Sequence, residues 1–286
     1  MKYTSIDQWK SKMKRLSDIN NIDVQAMQQR YILEEFARKI SKSKHKNSIV
    51  LKGGFVVSAL LGIDERKTRD IDFTYNSTIY SIDEIRCIIE DICSTDTDSF
   101  FNYEIASISE EQLDDHYSGY SCLLDAINGK ARLHLKLDIS NNSLIYPKGI
   151  ETKVHSFIDD DNIDVLSYPI ENIIAEKYET TLDRGEFNSR IRDLFDVHFL
   201  YQENHHLIDD KLLAKTIIAV SKDRNTYDNL FDYDELIDEL LRSEIFNKNF
   251  NNYKSKYYKH REETINDIFH TFGMINNLVQ KELNNK

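Results

Sequence analysis

The sequence predicts a mixed α/β protein in two parts, an N-terminal domain built on a mixed twisted sheet and a C-terminal domain built only of helices. Two observations carry this. Up to about residue 165, apolar residues recur alternately at helical and at strand spacing, and Leu133, Leu135, Leu137 and Ile139 keep strict period two. Beyond that point the spacing is helical throughout, so the expected domains are 1–165 and 166–286. With 286 residues, 40% of them hydrophobic, the chain can bury two medium cores, and only 8 Gly and 2 Pro leave a helix-rich, short-looped protein.

The elements follow in order. Ser5-Ile6-Asp7-Gln8 reads as a capping box opening a first helix, and Val24, Met27, Tyr31, Ile32, Phe36 and Ile40 recur at the period of a second. After the basic stretch Lys42–Lys46 comes a short strand into Leu51, then Gly53-Gly54, an apolar helix from Phe55 to Leu61, and a strand through Asp70-Ile71-Asp72-Phe73. Ser81-Ile82-Asp83-Glu84 caps a further helix that buries Ile85, Ile88, Ile89 and Ile92. Two more strands are expected next, with Asn128-Gly129 as the two-residue turn of a hairpin between 121–127 and 130–139. Past the acidic loop Asp159-Asp160-Asp161, Pro169 opens a helix that Gly185 stops near Arg184. Helices are then expected at roughly 188–203, 209–221, 234–246 and 261–284.

Charge and cysteine usage narrow the function. A net charge of −12 argues against a generic polyanion binder, so a nucleic-acid partner would be held by a segregated basic patch or through bound metal ions. Cys87, Cys93 and Cys122 have no zinc-site spacing, and an odd number fits buried thiols in a reducing compartment. The N-terminus lacks an apolar signal core, and runs such as Phe55-Val56-Val57 are too short to span a bilayer. A cytoplasmic protein without membrane contact is expected.

The chemistry concentrates in Lys52-Gly53-Gly54 and Arg66-Lys67-Thr68-Arg69-Asp70-Ile71-Asp72. Side chains alternate along a strand, so Asp70 and Asp72 share one face while Ile71 and Phe73 enter the core. Their backbone separation of about 6 to 7 Å lets the carboxyl ends bracket two divalent ions about 3.5 to 4 Å apart. Gly53 and Gly54, lacking Cβ, let a phosphate reach main-chain N–H groups at the positive end of the following helix. Asp138 supplies a third carboxylate, on the face of its strand opposite Leu137 and Ile139. Three such carboxylates with two Mg²⁺ would neutralise a nucleoside triphosphate, align a hydroxyl with its α-phosphorus and stabilise the leaving pyrophosphate.

Each feature also has a plainer reading. Asp96/Asp98, Asp159/Asp161 and Asp232/Asp234 repeat the same spacing among 49 acidic residues, so it is the strand, the glycine-led helix and the third acid that set Asp70/Asp72 apart. Asp138 would equally be an exposed strand carboxylate paired with Lys136 or Arg132. Lys177, Arg192, Asp193 and Asp196 are polar positions in apolar helices: Lys177 would neutralise phosphates, with Asp193 or Asp196 orienting it or Arg192, or the group is an inter-helix salt bridge. The basic, aromatic stretch Tyr253–Arg261 would bind phosphates and stack RNA bases, or form a solvated helix face. The histidines have no metal-site spacing.

Taken together, Lys-Gly-Gly, Arg-x-Thr-x-Asp-Ile-Asp-Phe, the later strand Asp138, Ala-Glu-Lys and Arg-Asp-Leu-Phe-Asp resemble the AbiEii/MenT nucleotidyltransferase toxins, within the DNA polymerase β-like nucleotidyltransferases, over roughly residues 45–200. The resemblance implies a nucleotidyltransferase fold over 1–165, a toxin of a toxin-antitoxin or abortive-infection (phage defence) system, and a separately encoded antitoxin. It implies a nucleoside triphosphate substrate, GTP or CTP, Mg²⁺, and an RNA acceptor such as the tRNA 3′ end. Carried over by motif, Asp70, Asp72 and Asp138 are metal ligands and catalytic acids, with Lys177, Asp193 and Asp196 also catalytic. Lys52, Gly53, Gly54, Arg66, Thr68, Lys177 and Arg192 then contact the nucleotide. The chain has Gly53-Gly54 where the wider superfamily usually has Gly-Ser. Two other activities compete with RNA modification: nucleotidyl transfer to a small molecule or protein hydroxyl, and nucleotide binding without turnover.

Overall fold

The computed structural model describes residues 3–61, 68–77, 81–112, 118–141, 144–159, 161–185, 190–258 and 260–285. Chain contacts divide it into two units: residues 1–143 with 149–168, and residues 144–148 with 169–286.

The first unit holds a seven-stranded mixed sheet, and its helices follow from their caps. Helices α1 (Ile6–Ile19) and α2 (Val24–Lys42) start at Ser5 and Asp23, whose side chains accept from backbone N–H groups two to three residues on. The expected reciprocal bond of a capping box is displaced by one residue, because Gln8 accepts from Thr4 rather than from Ser5. Strand β1 (Ile49–Lys52) runs into α3 (Gly53–Leu61), β2 (Asp70–Tyr75) follows, and α4 (Ile82–Ser94) is capped by Ser81. Three long strands come next, β3 (Asn102–Gln112), β4 (Ser118–Asn128) and β5 (Ala131–Asn141), and then β6 (Ile150–His155) and β7 (Asn162–Ser167). Across the sheet the order is β3-β4-β5-β2-β1-β7-β6.

This order places β2 between β5, parallel to it, and β1, antiparallel to it. Its inward residues Ile71 and Phe73 are fully buried with Leu51 of β1 and Leu137 and Ile139 of β5. The interior behind α3 also holds an ion pair, Arg30 to Glu34 at 2.6 Å. Arg30 donates to Ser58 of α3, and Glu34 accepts from Ser156 and from the backbone N–H of Phe157. Such a pair persists in the core because most of its polar atoms find further partners, and in doing so it fixes α3 against α2.

The second unit is helical: α5 (Ile170–Arg184), α6 (Ile191–Glu203), α7 (Asp210–Asp223), α8 (Tyr233–Arg242), α9 (Glu244–Tyr257) and α10 (Ile265–Asn284). Helix α5 packs on α6 and α7, and α10 packs on the same two. Its core stacks Tyr178 on Phe272 at 5.3 Å between ring centroids, and Phe195 on Phe250 and Tyr258 at 5.1 and 4.6 Å. No described helix is long and apolar enough to cross a membrane.

Several expectations are corrected. The segment after Asp161 is strand β7 before it is helix, so helical structure begins only at Ile170. Pro169 is the cap before α5 rather than its first residue. The hairpin loop is Gly129-Lys130, since Asn128 still pairs with Ala131, and Gly129 supplies the positive φ (57°) that its first position needs. Ser243 divides the expected helix 234–246, because its hydroxyl caps a new helix by accepting from Phe246 N–H. The aromatic residues of 253–261 are divided: Tyr258 is buried, and Tyr253 packs against Phe195. The ring of Tyr258 is thus committed to the helical interior, while Tyr257 remains 49% exposed. Cys122 is buried, but Cys87 is exposed and Cys93 lies between.

Candidate active site

The site grows from β2. At the end of β1, Lys52 lies opposite Asp72, and the chain turns at once into α3. Gly53 makes that turn with φ +61°, and a Cβ on it would sit 2.0 Å from Asp72 Oδ2 and 2.6 Å from its Cγ. No side chain fits there. The backbone therefore approaches the carboxylate directly, and Gly54 N–H donates to Asp72 Oδ2 at 3.3 Å.

On its other edge β2 pairs with β5 in a register that sets Asp72 beside Asp138 and Asp70 beside Lys136. Because neighbouring strands lie about 4.8 Å apart and both aspartates point to the same face, the carboxylates converge. One oxygen from each of Asp70, Asp72 and Asp138 lies within 4.8 Å of the others. Three hard oxygen donors so close together are the donor set that Mg²⁺ or Mn²⁺ takes, and residues of this kind fit such an ion.

The electrostatics agree with that chemistry. Asp72 is pushed up to about 6, first by burial and then by the charges of Asp70 and Asp138, with Lys52 and the Gly54 N–H pulling back. Like charges gathered in a half-buried place store repulsion that a cation would relieve. Thr68 Oγ1, itself buried, donates to Asp70 Oδ1 at 3.2 Å. Asp138 meets Lys136, whose Nζ lies 2.9 Å from Oδ1 and 3.0 Å from Oδ2. Lys52 Nζ stands 5.5 Å over the ring of Tyr168, and Tyr168 is fixed by a 2.7 Å hydrogen bond to Thr74. Farther along the same face of β5, His134 and Arg132 both engage Asp125.

Sequence reasoning missed one supporting residue. Gln29 of α2 donates through Nε2 to the carbonyls of Arg69 and His134, at 2.9 and 3.1 Å. The Arg69 carbonyl immediately precedes Asp70 and the His134 carbonyl stands two residues before Lys136, so one side chain ties the start of β2 to β5. A lone Gln on a helix face carries no motif, and nothing in the sequence marks it.

In the helical unit, Lys177 of α5 lies against Asp193 Oδ1 and 2.9 Å from Asp196 Oδ2, both on α6. Asp193 and Asp196 are buried. The i, i+3 spacing on α6 turns both carboxylates to the same side, and Lys177 meets them as a single charge facing two. Arg192, the residue before Asp193 on the helix, is exposed. Arg66 lies outside the described residues, as do Lys67, Asp160 and Lys259.

The family described as nucleotidyl transferase AbiEii toxin, type IV toxin-antitoxin system, matches residues 36–272. Among solved structures, a candidate nucleotidyltransferase from Helicobacter pylori is similar at 17% identity and a TM-score of 0.49, over 93% of this chain and 99% of that one. JHP933 from Helicobacter pylori is similar at 18% identity and a TM-score of 0.47, over 91% and 94%. No curated protein matches.

Proposed function

Since the chain belongs to the AbiEii nucleotidyl transferase toxins of type IV toxin-antitoxin systems, we propose that it moves a nucleotide from GTP or CTP onto an RNA acceptor, the tRNA 3′ end. The acceptor hydroxyl attacks the α-phosphorus, the bond to the bridging oxygen breaks, and pyrophosphate leaves. One observation carries the reading: three carboxylates from two paired strands converge within 4.8 Å beside a side-chain-free glycine turn.

Asp70, Asp72 and Asp138 are the residues that would hold Mg²⁺, which when bound offsets the charge of the triphosphate and of the leaving group. The chain's own groups divide the remaining work. Gly53 leaves room for the Asp72 carboxylate against the turn, and Gly54 N–H, which donates to that carboxylate, and Lys52 opposite it would supply hydrogen bonding and charge to a phosphate. Thr68 holds the Asp70 carboxylate in place. Asp138 receives the proton of the attacking hydroxyl. By the family's motif Lys177, held by Asp193 and Asp196, and Arg66 would serve the nucleotide's phosphates, a role the outward-facing Arg192 does not share with them. The residue span 1–165 is the catalytic domain in this scheme and 166–286 the helical domain. A protein of this activity works in the cytoplasm, restrained by its antitoxin until infection by a phage releases it.

The test is transfer itself. Purified protein is incubated with each labelled nucleoside triphosphate, Mg²⁺ and total RNA, beside Asp72→Asn. Label in the tRNA fraction with the parent protein and at least 100-fold less with the variant is the expected result. Label in a small molecule or in the protein overturns the acceptor. Tight nucleotide binding with no transfer anywhere overturns the activity.

A further inference from the structure

The three carboxylates are not equivalently held. Asp70 accepts from the hydroxyl of Thr68 and Asp72 from the N–H of Gly54, both neutral donors. Among the described residues, Asp138 is the one of the three in ion-pair contact with a cation, with the Lys136 ammonium within 3.0 Å of both of its oxygens. Lys136 stands two residues before Asp138, hence on the same face of β5, and lies opposite Asp70 across the parallel pair. The lysine side chain is 46% exposed while Asp138 is 17% exposed. Its head can therefore leave the carboxylate for water without crossing the protein interior.

We propose that Lys136 serves as a built-in counter-ion for Asp138, so that the site takes its divalent cations in two unequal steps. The first cation enters between Asp70 and Asp72, with which no described lysine or arginine makes an ion pair. The second needs Asp138 and must evict Lys136 to obtain it. Once evicted, the ammonium stands on a strand face beside the same carboxylates, where an anionic phosphate group of substrate would receive it. Full loading of the site is thereby coupled to the arrival of a second anion. This rests on the metal-site reading above, and the experiment separates the two.

The experiment is a Mn²⁺ titration of the full chain by electron paramagnetic resonance of free Mn²⁺ and by calorimetry, without nucleotide. The variants are Lys136→Met, Asp138→Asn and the two combined. For the parent protein a tighter and a weaker step are expected. Lys136→Met should tighten only the weaker step, by about fivefold, the exchange value of one partly exposed ion pair. Asp138→Asn should remove the weaker step, and adding Lys136→Met to it should restore nothing. Equal tightening of both steps would show a diffuse charge effect and overturn the proposal. An unchanged or weakened second step in Lys136→Met would overturn it too, and thermal melts of each variant confirm that the fold is retained. Absence of Mn²⁺ binding to every form would overturn the metal site itself.

Discussion

At the scale of the residue, the decisive fact is the missing Cβ of Gly53. With φ +61° and Asp72 Oδ2 at 2.0 Å from where a methyl would stand, Gly53→Ala must either displace Asp72 or unfold the turn. The expected outcome is a loss of about 1–3 kcal/mol in stability, the range for a strained backbone with an added clash, together with loss of the tighter Mn²⁺ step. Asp72→Asn should behave oppositely in the metal-free protein. It removes a carboxylate that burial and two like charges have pushed up to about 6, so the melting temperature should rise while the further rise on adding Mn²⁺ disappears. A fall in the metal-free melting temperature of Asp72→Asn would mean that the carboxylate is a net stabiliser through Gly54 N–H. The glycine pair and the two aspartates were legible because each is a local signal: the glycines announce a turn, and a two-residue spacing on a strand puts both acids on one face. Lys177 was legible as a charge in need of partners, though not that both Asp193 and Asp196 would take it. Arg192 was not separable from them by spacing alone, since only the helix phase turns it outward.

At the scale of the element, β2 and β5 must meet in one register, and no hairpin sets it. A slip of one residue would carry Asp138 to the opposite face of the sheet and leave Asp72 beside an apolar side chain. Gln29 fastens that register from α2 by donating to carbonyls on both strands. Gln29→Ala is expected to weaken Mn²⁺ binding about tenfold while costing stability only about 1 kcal/mol, one pair of partly exposed hydrogen bonds. Gln29→Glu keeps the shape but turns an acceptor toward two carbonyls, so it should be worse than Ala. Equal Mn²⁺ affinity in both variants and the parent protein would remove Gln29 from the site. Strand pairing of this kind is invisible in a single sequence, because the partners are some sixty residues apart. The same limit hid β6 and β7. In β6 the alternation of Ile150, Thr152 and Val154 buries only Val154 and includes a single polar threonine, and β7 follows directly on an acidic loop. The hairpin of β4 and β5 was legible to within one residue because its turn and both arms are contiguous.

At the scale of the whole molecule, the switch from alternating to helical period exposed the sheet-bearing and helical parts, while the order of the strands within the sheet had no sequence signal. The charge balance, −12, has a consequence for both. Among the described residues of the sheet unit two carboxyl groups sit above their ordinary range: Asp72 at about 6, and Glu35, which burial raises against the hydrogen bonds of Tyr31 and Ser99. Each keeps a proton in the folded state at a pH where the unfolded chain has released it, so folding stability grows as pH falls. The window opens near 7 and runs through about 6 toward the ordinary carboxylate value near 4. Reduced self-repulsion of an acidic protein acts in the same direction. In the helical unit His198 has the opposite sign, because burial holds its imidazole low and stability is lost as pH falls below the ordinary value of about 6.5. A global signal would mix the two. The chain's single tryptophan, Trp9, is buried in α1 of the sheet unit, so its fluorescence reports that unit alone. In metal-free buffer the Trp9-detected melting temperature should rise by roughly 2–4 °C between pH 7 and 5.5, the equivalent of about 1 kcal/mol, and the rise should shrink in Asp72→Asn and in Glu35→Gln. A Trp9 transition that falls over that interval would mean that these carboxyl groups are ionised without cost in the folded protein, and that the crowding of charge around Asp72 is not the source of its appetite for a cation.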